Sequence, residues 1–229
     1  MKALRRLLLL VAVLLDTGCG LPDTYFLQQP KVVTQAPGPG PGQFIFSNPI
    51  HDMNHDINVT FTGNELYYKF YANISDITGN DYDSSNTSDP SVQLTAKGFF
   101  PLVAGTDSVP NRLDPVIPIG TSLAAAGSIV TVTLVTNGIS TYSIPSGPGG
   151  EVRRDVASVS SPTQYKDFQT DLTSPSNYVF SDADVASMPM TGGSVYVAMY
   201  ALSFGYTGAS TPQRSVPTYL GYIPITPFP

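Results

Sequence analysis

Thirteen residues near the C-terminus, Ser194–Tyr206, are apolar on both sides of a period-two pattern. Val195, Val197, Met199 and Ala201 alternate with Tyr196, Ala198, Tyr200, Leu202 and Phe204. A strand with one wet face would alternate apolar with polar residues, so this pattern predicts a central strand covered on both faces. A chain built around such a strand needs neighbours on either side of it and layers above and below. Glu65–Asn73 is predicted as another strand, with Leu66, Tyr68, Phe70 and Ala72 on one face and Tyr67, Lys69, Tyr71 and Asn73 on the other. Before it, Ile57, Val59 and Phe61 alternate with Asn58, Thr60 and Thr62, and Gly63-Asn64 reads as a turn between two strands.

The folded body is expected to begin near Phe44–Phe46, and further strands are predicted at Val92–Phe100, Ile129–Val135 and Val152–Val159. Asn137-Gly138 signals a tight hairpin into Ile139–Ile144, because a type I′ turn needs positive φ at both central positions. Thr218–Ile225 reads as an edge strand, since Pro217 and Pro224 cannot donate to a ladder. Helix is confined to two short pieces: one from Ser161-Pro162 with Tyr165, Phe168 and Leu172 on its apolar side, and one turn between Ser181 and Asp184. Composition agrees, with 41% hydrophobic and only 12% charged residues. Among the acids only Glu65 and Glu151 are glutamates, and the other fifteen are aspartates, which favour turns over helix interiors.

These short strands predict an all-β fold, an antiparallel β-sandwich with long loop insertions and little helix. Glu65–Asn73, Ser194–Tyr206 and the last strand resemble the C, F and G strands of an immunoglobulin/fibronectin type III-like domain. The resemblance covers those three strands only. One domain, 44–229, is preferred to a split at Pro145–Gly150, because no repeat relates the two halves.

The N-terminus predicts an address. Lys2, Arg5 and Arg6 precede the apolar run Leu7–Leu15, which is too short to span a bilayer, and Asp16-Thr17-Gly18 leads to Cys19, the single cysteine of the chain. This layout resembles the signal of spirochaetal lipoproteins of unknown function, with Asp16 where the commoner motif has Leu. The resemblance implies a signal peptide 1–18 and a diacylglycerol-linked Cys19, leaving a protein attached to the cell envelope by lipid, in the outer membrane, facing the periplasm or the surface. Residues 19–43, ending in alternating Pro and Gly, are expected to be a tether with a reach on the order of 70 Å. Within it, Tyr25–Leu27 and Val32–Val33 are apolar enough to dock on the domain. Removal of the signal takes Lys+Arg from 11 to 8 and Asp+Glu from 17 to 16, so the net charge moves from −6 to −8. That balance repels nucleic acid and anionic headgroups.

Candidate site residues are few. His51 and His55, spaced i, i+4 beside Asp52 and Asp56, could share a metal or serve a hydrolase, although Pro49 and Asn54 favour an Asx-rich turn. Asp76, Asn80, Asp81 and Asp83 offer the hard oxygens that calcium takes, but not in EF-hand register. Tyr67 and Tyr71, with Tyr196 and Tyr200, would line one sheet face and stack on a sugar or anchor a protein, unless a long loop covers them. The sequons Asn58-Val-Thr60, Asn73-Ile-Ser75 and Asn86-Thr-Ser88 carry no meaning in a bacterial lipoprotein. No nucleophile elbow, phosphate loop or cysteine nucleophile is present, so no enzyme and no cofactor are expected. The leading expectation is a non-enzymatic binding or structural module of the envelope. A calcium-dependent or carbohydrate-binding adhesive domain is second, and a hydrolase using His51 or His55 is third.

Overall fold

The computed structural model describes residues 27–34, 42–49, 59–104, 115–118, 127–134, 140–145, 147, 149–155, 165–166, 184, 195–207 and 211–225. Its strands are β1 (Lys31–Thr34), β2 (Gln43–Ser47), β3 (Val59–Tyr71), β4 (Phe100–Ala104), β5 (Ile117–Pro118), β6 (Ile129–Thr133), β7 (Thr141–Ser143), β8 (Gly150–Asp155), β9 (Tyr165–Lys166), β10 (Val195–Thr207), β11 (Thr211–Arg214) and β12 (Thr218–Ile225). Among the described residues one α-helix, α1 (Pro90–Ala96), and one 3-10 turn, Ile74–Asp76, join them. No helix among the described residues is long and apolar enough to cross a membrane.

Every strand pairing among the described residues is antiparallel, and the strands join into one sheet ordered β1-β2-β6-β7-β8-β4-β3-β10. At β10 the edge forks, with β12 pairing along Val195–Ala201 and β11 along Phe204–Thr207. The sheet curls into a half-barrel. Its two ends approach at a seam, where Thr218 Oγ1 at the head of β12 donates to the carbonyl of Pro30, just before β1, at 2.6 Å. Alternation fills the concave side: Phe44, Phe46, Leu66, Tyr68, Phe70, Val130, Val132, Val152, Val197 and Met199 all enter one buried cluster.

β10 is central, as its doubly apolar pattern requires. Val195, Val197, Met199 and Ala201 face the curled interior, and Ala198, Tyr200 and Leu202 enter a second cluster on the convex side. β3 and β12 flank it, so the predicted neighbour order is present. A bulge in β12 sets Met199 opposite Gly221 and Tyr200 opposite Tyr219, leaving Leu220 extra. Gly221 at φ 99° accommodates the bulge, which turns both Leu220 and Ile223 inward.

Several expectations are corrected. Gly63-Asn64 does not turn the chain: β3 runs straight through it against β10, and Thr62 is an extra residue between the pairs Gly63–Phe204 and Phe61–Gly205. Glycine is needed there for close approach, because a Cβ on Gly63 would lie 2.2 Å from the Ile117 carbonyl oxygen, and one on Gly205 2.2 Å from that of Thr60. Val92–Phe100 is not one strand. Pro90–Ala96 is α1, and the strand begins only at Phe100. The local reason is capping: Asp89 accepts from the Ser91 amide, and Pro90 occupies the first turn where its missing N–H costs nothing. Tyr165–Lys166, placed in a helix by its spacing, is instead a strand against Arg154 and Asp155. The remainder of that stretch lies outside the described residues, as do Asn137-Gly138, although β6 and β7 pair as the hairpin demands. Leu27–Thr34, assigned to the tether with docking points, is laid on the body, with Leu27 buried and Lys31–Thr34 paired to β2.

Candidate functional site

The convex face of β3 and β10 carries Tyr67, Tyr71, Ala198, Tyr200 and Leu202, and residues 72–99 fold over it. Leu94 from α1 and Phe99 after it are driven into this face. The helix stops where Gly98, at φ 82°, permits the Phe99 amide to reach back to the Leu94 carbonyl and its own amide to reach that of Thr95. Gln93, the buried polar residue of α1, ties the loop to itself. Its amide nitrogen donates to the carbonyls of Asn86 (3.1 Å) and Ser88 (2.9 Å), and its oxygen accepts from the Asp83 amide. Phe99 meets Tyr200 edge-on at 5.1 Å, Tyr219 lies tilted against Tyr200 at 5.1 Å, and Tyr219 also packs on Gly79 so closely that a Cβ there would sit 2.8 Å from the ring.

Tyr67 and Tyr71 are therefore not a ligand platform. Both are buried under α1 and its loop, with Lys69 Nζ 4.9 Å over the Tyr71 ring and hydrogen-bonded to the Lys97 carbonyl at 2.8 Å. Tyr196 and Tyr222 stay half-buried at the margin, edge-to-face at 6.0 Å.

The acidic loop residues are engaged locally. Asp76 accepts from Asn73 Nδ2 and Ser75 Oγ, and the Asn80 amide donates to Thr78 Oγ1. Asp81 lies against Tyr200, its amide donating to Oη and its carboxylate accepting from it. Asp83 accepts from the Ser85 hydroxyl (2.6 Å) and amide (2.9 Å), which hold it below the usual carboxylate range. Among the described residues no three His, Cys, Asp or Glu side chains gather as a metal-holding group. His51, His55 and Cys19 lie outside the described residues.

Two charged centres lie outside the candidate residues that sequence patterning singles out. On the convex side, Arg214 of β11 grips Glu65 with two bonds, Nε–Oε2 at 2.7 Å and Nη2–Oε1 at 2.8 Å, reaches Asp89 at 3.2 Å, and stacks over Phe204 at 5.1 Å. Asp89 also caps α1, so this clasp fastens the loop to the sheet. Burial raises the Asp89 carboxyl, but the bonds from Ser91 and Arg214 outweigh it and leave the group below its ordinary value. A depressed carboxyl contributes stability above its unfolded value and loses it as pH falls through the folded one. Arg214→Ala is expected to cost about 1.5–3 kcal/mol, the range for hydrogen bonds to charged groups. Amide exchange should quicken across residues 83–96 more than in β2 and β6, and unchanged protection of that loop would refute the clasp.

The second centre is inside the half-barrel. Arg154 of β8, fully buried, places Nη1 2.6 Å from Asp184 Oδ2, and Tyr68 Oη donates to the same oxygen at 2.7 Å. The guanidinium rests over Phe70 at 5.5 Å. Its signal was readable: Arg154 shares the parity of Val152, an inward position of β8. Both centres join distant elements of the chain. No family model, curated protein or solved structure matches the chain.

Proposed function

We propose that this chain is a lipid-anchored module of the bacterial cell envelope, attached through Cys19 in the outer membrane, whose β-built body binds or supports a partner and does no chemistry. The observation that carries the reading is the layout of Met1–Cys19, a cationic head, a short apolar run and the chain's single cysteine directly after small residues. A lone thiol in an exported chain is otherwise unpaired, and acylation consumes it. The charged clusters of the body support a role without catalysis, since Arg214, Glu65, Asp89, Arg154 and Asp184 are spent on joining elements. We read the body as a fibronectin type III-like sandwich modified by long insertions, supported by the neighbour order β12-β10-β3. Metabolic labelling with palmitate tests the anchor. The wild-type chain should take up label and fractionate with membrane, and Cys19→Ser should do neither; a labelled Cys19→Ser protein would overturn it. Protease shaving of intact cells then separates surface from periplasmic exposure.

A further inference from the structure

The body begins eight residues after Cys19. Leu27 is buried, the Gln28 carbonyl accepts from Ser203 Oγ at 2.6 Å, and the Pro30 carbonyl accepts from Thr218 Oγ1 at 2.6 Å. The alternating Pro and Gly of 36–42 add nothing to the reach, because they lie between two strands paired to each other, with Lys31 opposite Ser47 and Thr34 opposite Ile45. Eight steps of chain span at most about 28 Å even when fully extended. The leash is thus about two fifths of the length that composition suggests, and shorter than β10, whose thirteen residues run to about 43 Å.

Where it attaches also matters. Ser203 lies in the second half of β10 and exchanges bonds with Ser215, its amide donating to Ser215 Oγ at 2.9 Å and its carbonyl accepting from the Ser215 amide at 3.0 Å. The next residue, Val216, is 45% exposed. The opposite end of β10 is eight residues away, about 26 Å along the strand. There Tyr196 pairs with Tyr71, and the chain leaves Tyr71 for Ile74, which is 49% exposed.

We propose that the body is held close against the lipid surface in a preferred orientation, the Ser203–Ser215–Val216 end toward the bilayer and the Ile74 end, with the start of the loop over the tyrosine face, away from it. This rests on the lipid-anchor reading. The acidic balance of the chain favours apposition without insertion, since anionic headgroups repel it. The outward end is then the one offered to a partner.

The test uses the acylated full-length protein in phosphatidylcholine vesicles bearing a headgroup-linked energy-transfer acceptor. Acylation blocks the only native thiol, so Val216→Cys and Ile74→Cys can each carry a single donor dye. Transfer from position 216 is expected to exceed that from position 74 by at least about twofold, given the leash and strand lengths. Inserting about twenty Gly/Ser residues between Pro22 and Asp23 should remove most of the difference by freeing the body. Equal transfer from both positions, or stronger transfer from 74, in protein whose mass carries the acyl chains overturns the orientation and leaves the anchor intact. Protein whose mass lacks them overturns the anchor itself.

Discussion

Above pH 10 the domain is expected to lose stability steeply and to unfold in a single step in which tyrosine ionisation and loss of the sheet coincide. Burial pushes the phenols of Tyr67 and Tyr68 well up, and the neighbouring carboxylates of Glu65 and Asp184 add to it. Tyr71 and Tyr200 are raised first by burial under the 72–99 loop, with Asp81 beside both, and Tyr219 is pushed up to about 12 by burial and then by Asp81. A folded value above the unfolded one means that these groups contribute fully below pH 10. The contribution is lost as pH climbs from 10 toward the folded values, because only the unfolded chain releases protons there. Each such phenol changes stability by about 1.4 kcal/mol per pH unit, so Tyr67 and Tyr68 alone give about 3 kcal/mol per unit. That slope exhausts a stability of about 5–15 kcal/mol within a few units. Tyrosinate absorbance followed beside circular dichroism reads both events, and a chain with 13 tyrosines and no tryptophan gives a clean signal. Progressive ionisation of all the tyrosines near pH 10 with the sheet intact would contradict the buried face.

What was legible in the sequence is what period two encodes locally. β10, both halves of β3 and β6 follow from alternation, and the two apolar faces of β10 already demand a cover on each side. Where alternation competes with a cap, alternation misleads: Val92 and Leu94 resemble strand residues, while Asp89-Pro90 and Gly98 mark the start and stop of α1. Gly63-Asn64 fails for the opposite reason. Its turn chemistry is real, but pairing with β10 on one side and β5 on the other decides the backbone. β4 enters the sheet between β3 and β8, a choice that leaves no local trace. Tyr67 and Tyr71 were placed on the correct face, and only the path of residues 72–99 decides that this face is inside. Leu27 and Val32–Val33 could be read as docking points because they are apolar, but Pro/Gly composition describes stiffness and says nothing of whether the strands on either side pair.

Replacing Asp184 by alanine is expected to have the largest effect of any single substitution considered. It removes a carboxylate held 2.6 Å from a guanidinium with no solvent exposure and also takes an acceptor from the buried Tyr68 hydroxyl. Breaking a buried pair from one side costs about 3–5 kcal/mol, because the buried charge that remains loses compensation water cannot replace. At about 2–4 °C per kcal/mol for a domain of this size, Tm should fall by roughly 6–20 °C. Asp184→Asn, which keeps an oxygen for Tyr68 but no charge, should fall between. The informative variant is the double replacement Arg154→Met with Asp184→Leu. Removing both charges together spares the desolvation penalty, and apolar residues of similar volume suit the concave side lined by Phe70 and Val152, so much of the loss should be recovered. Recovery would show that the pair serves registry, joining β8 and β3 to a residue 30 positions beyond Arg154, more than it serves net stability. If Asp184→Ala alone unfolds within about 1 kcal/mol of wild type, the range of an exposed pair, then this centre does not hold the half-barrel together.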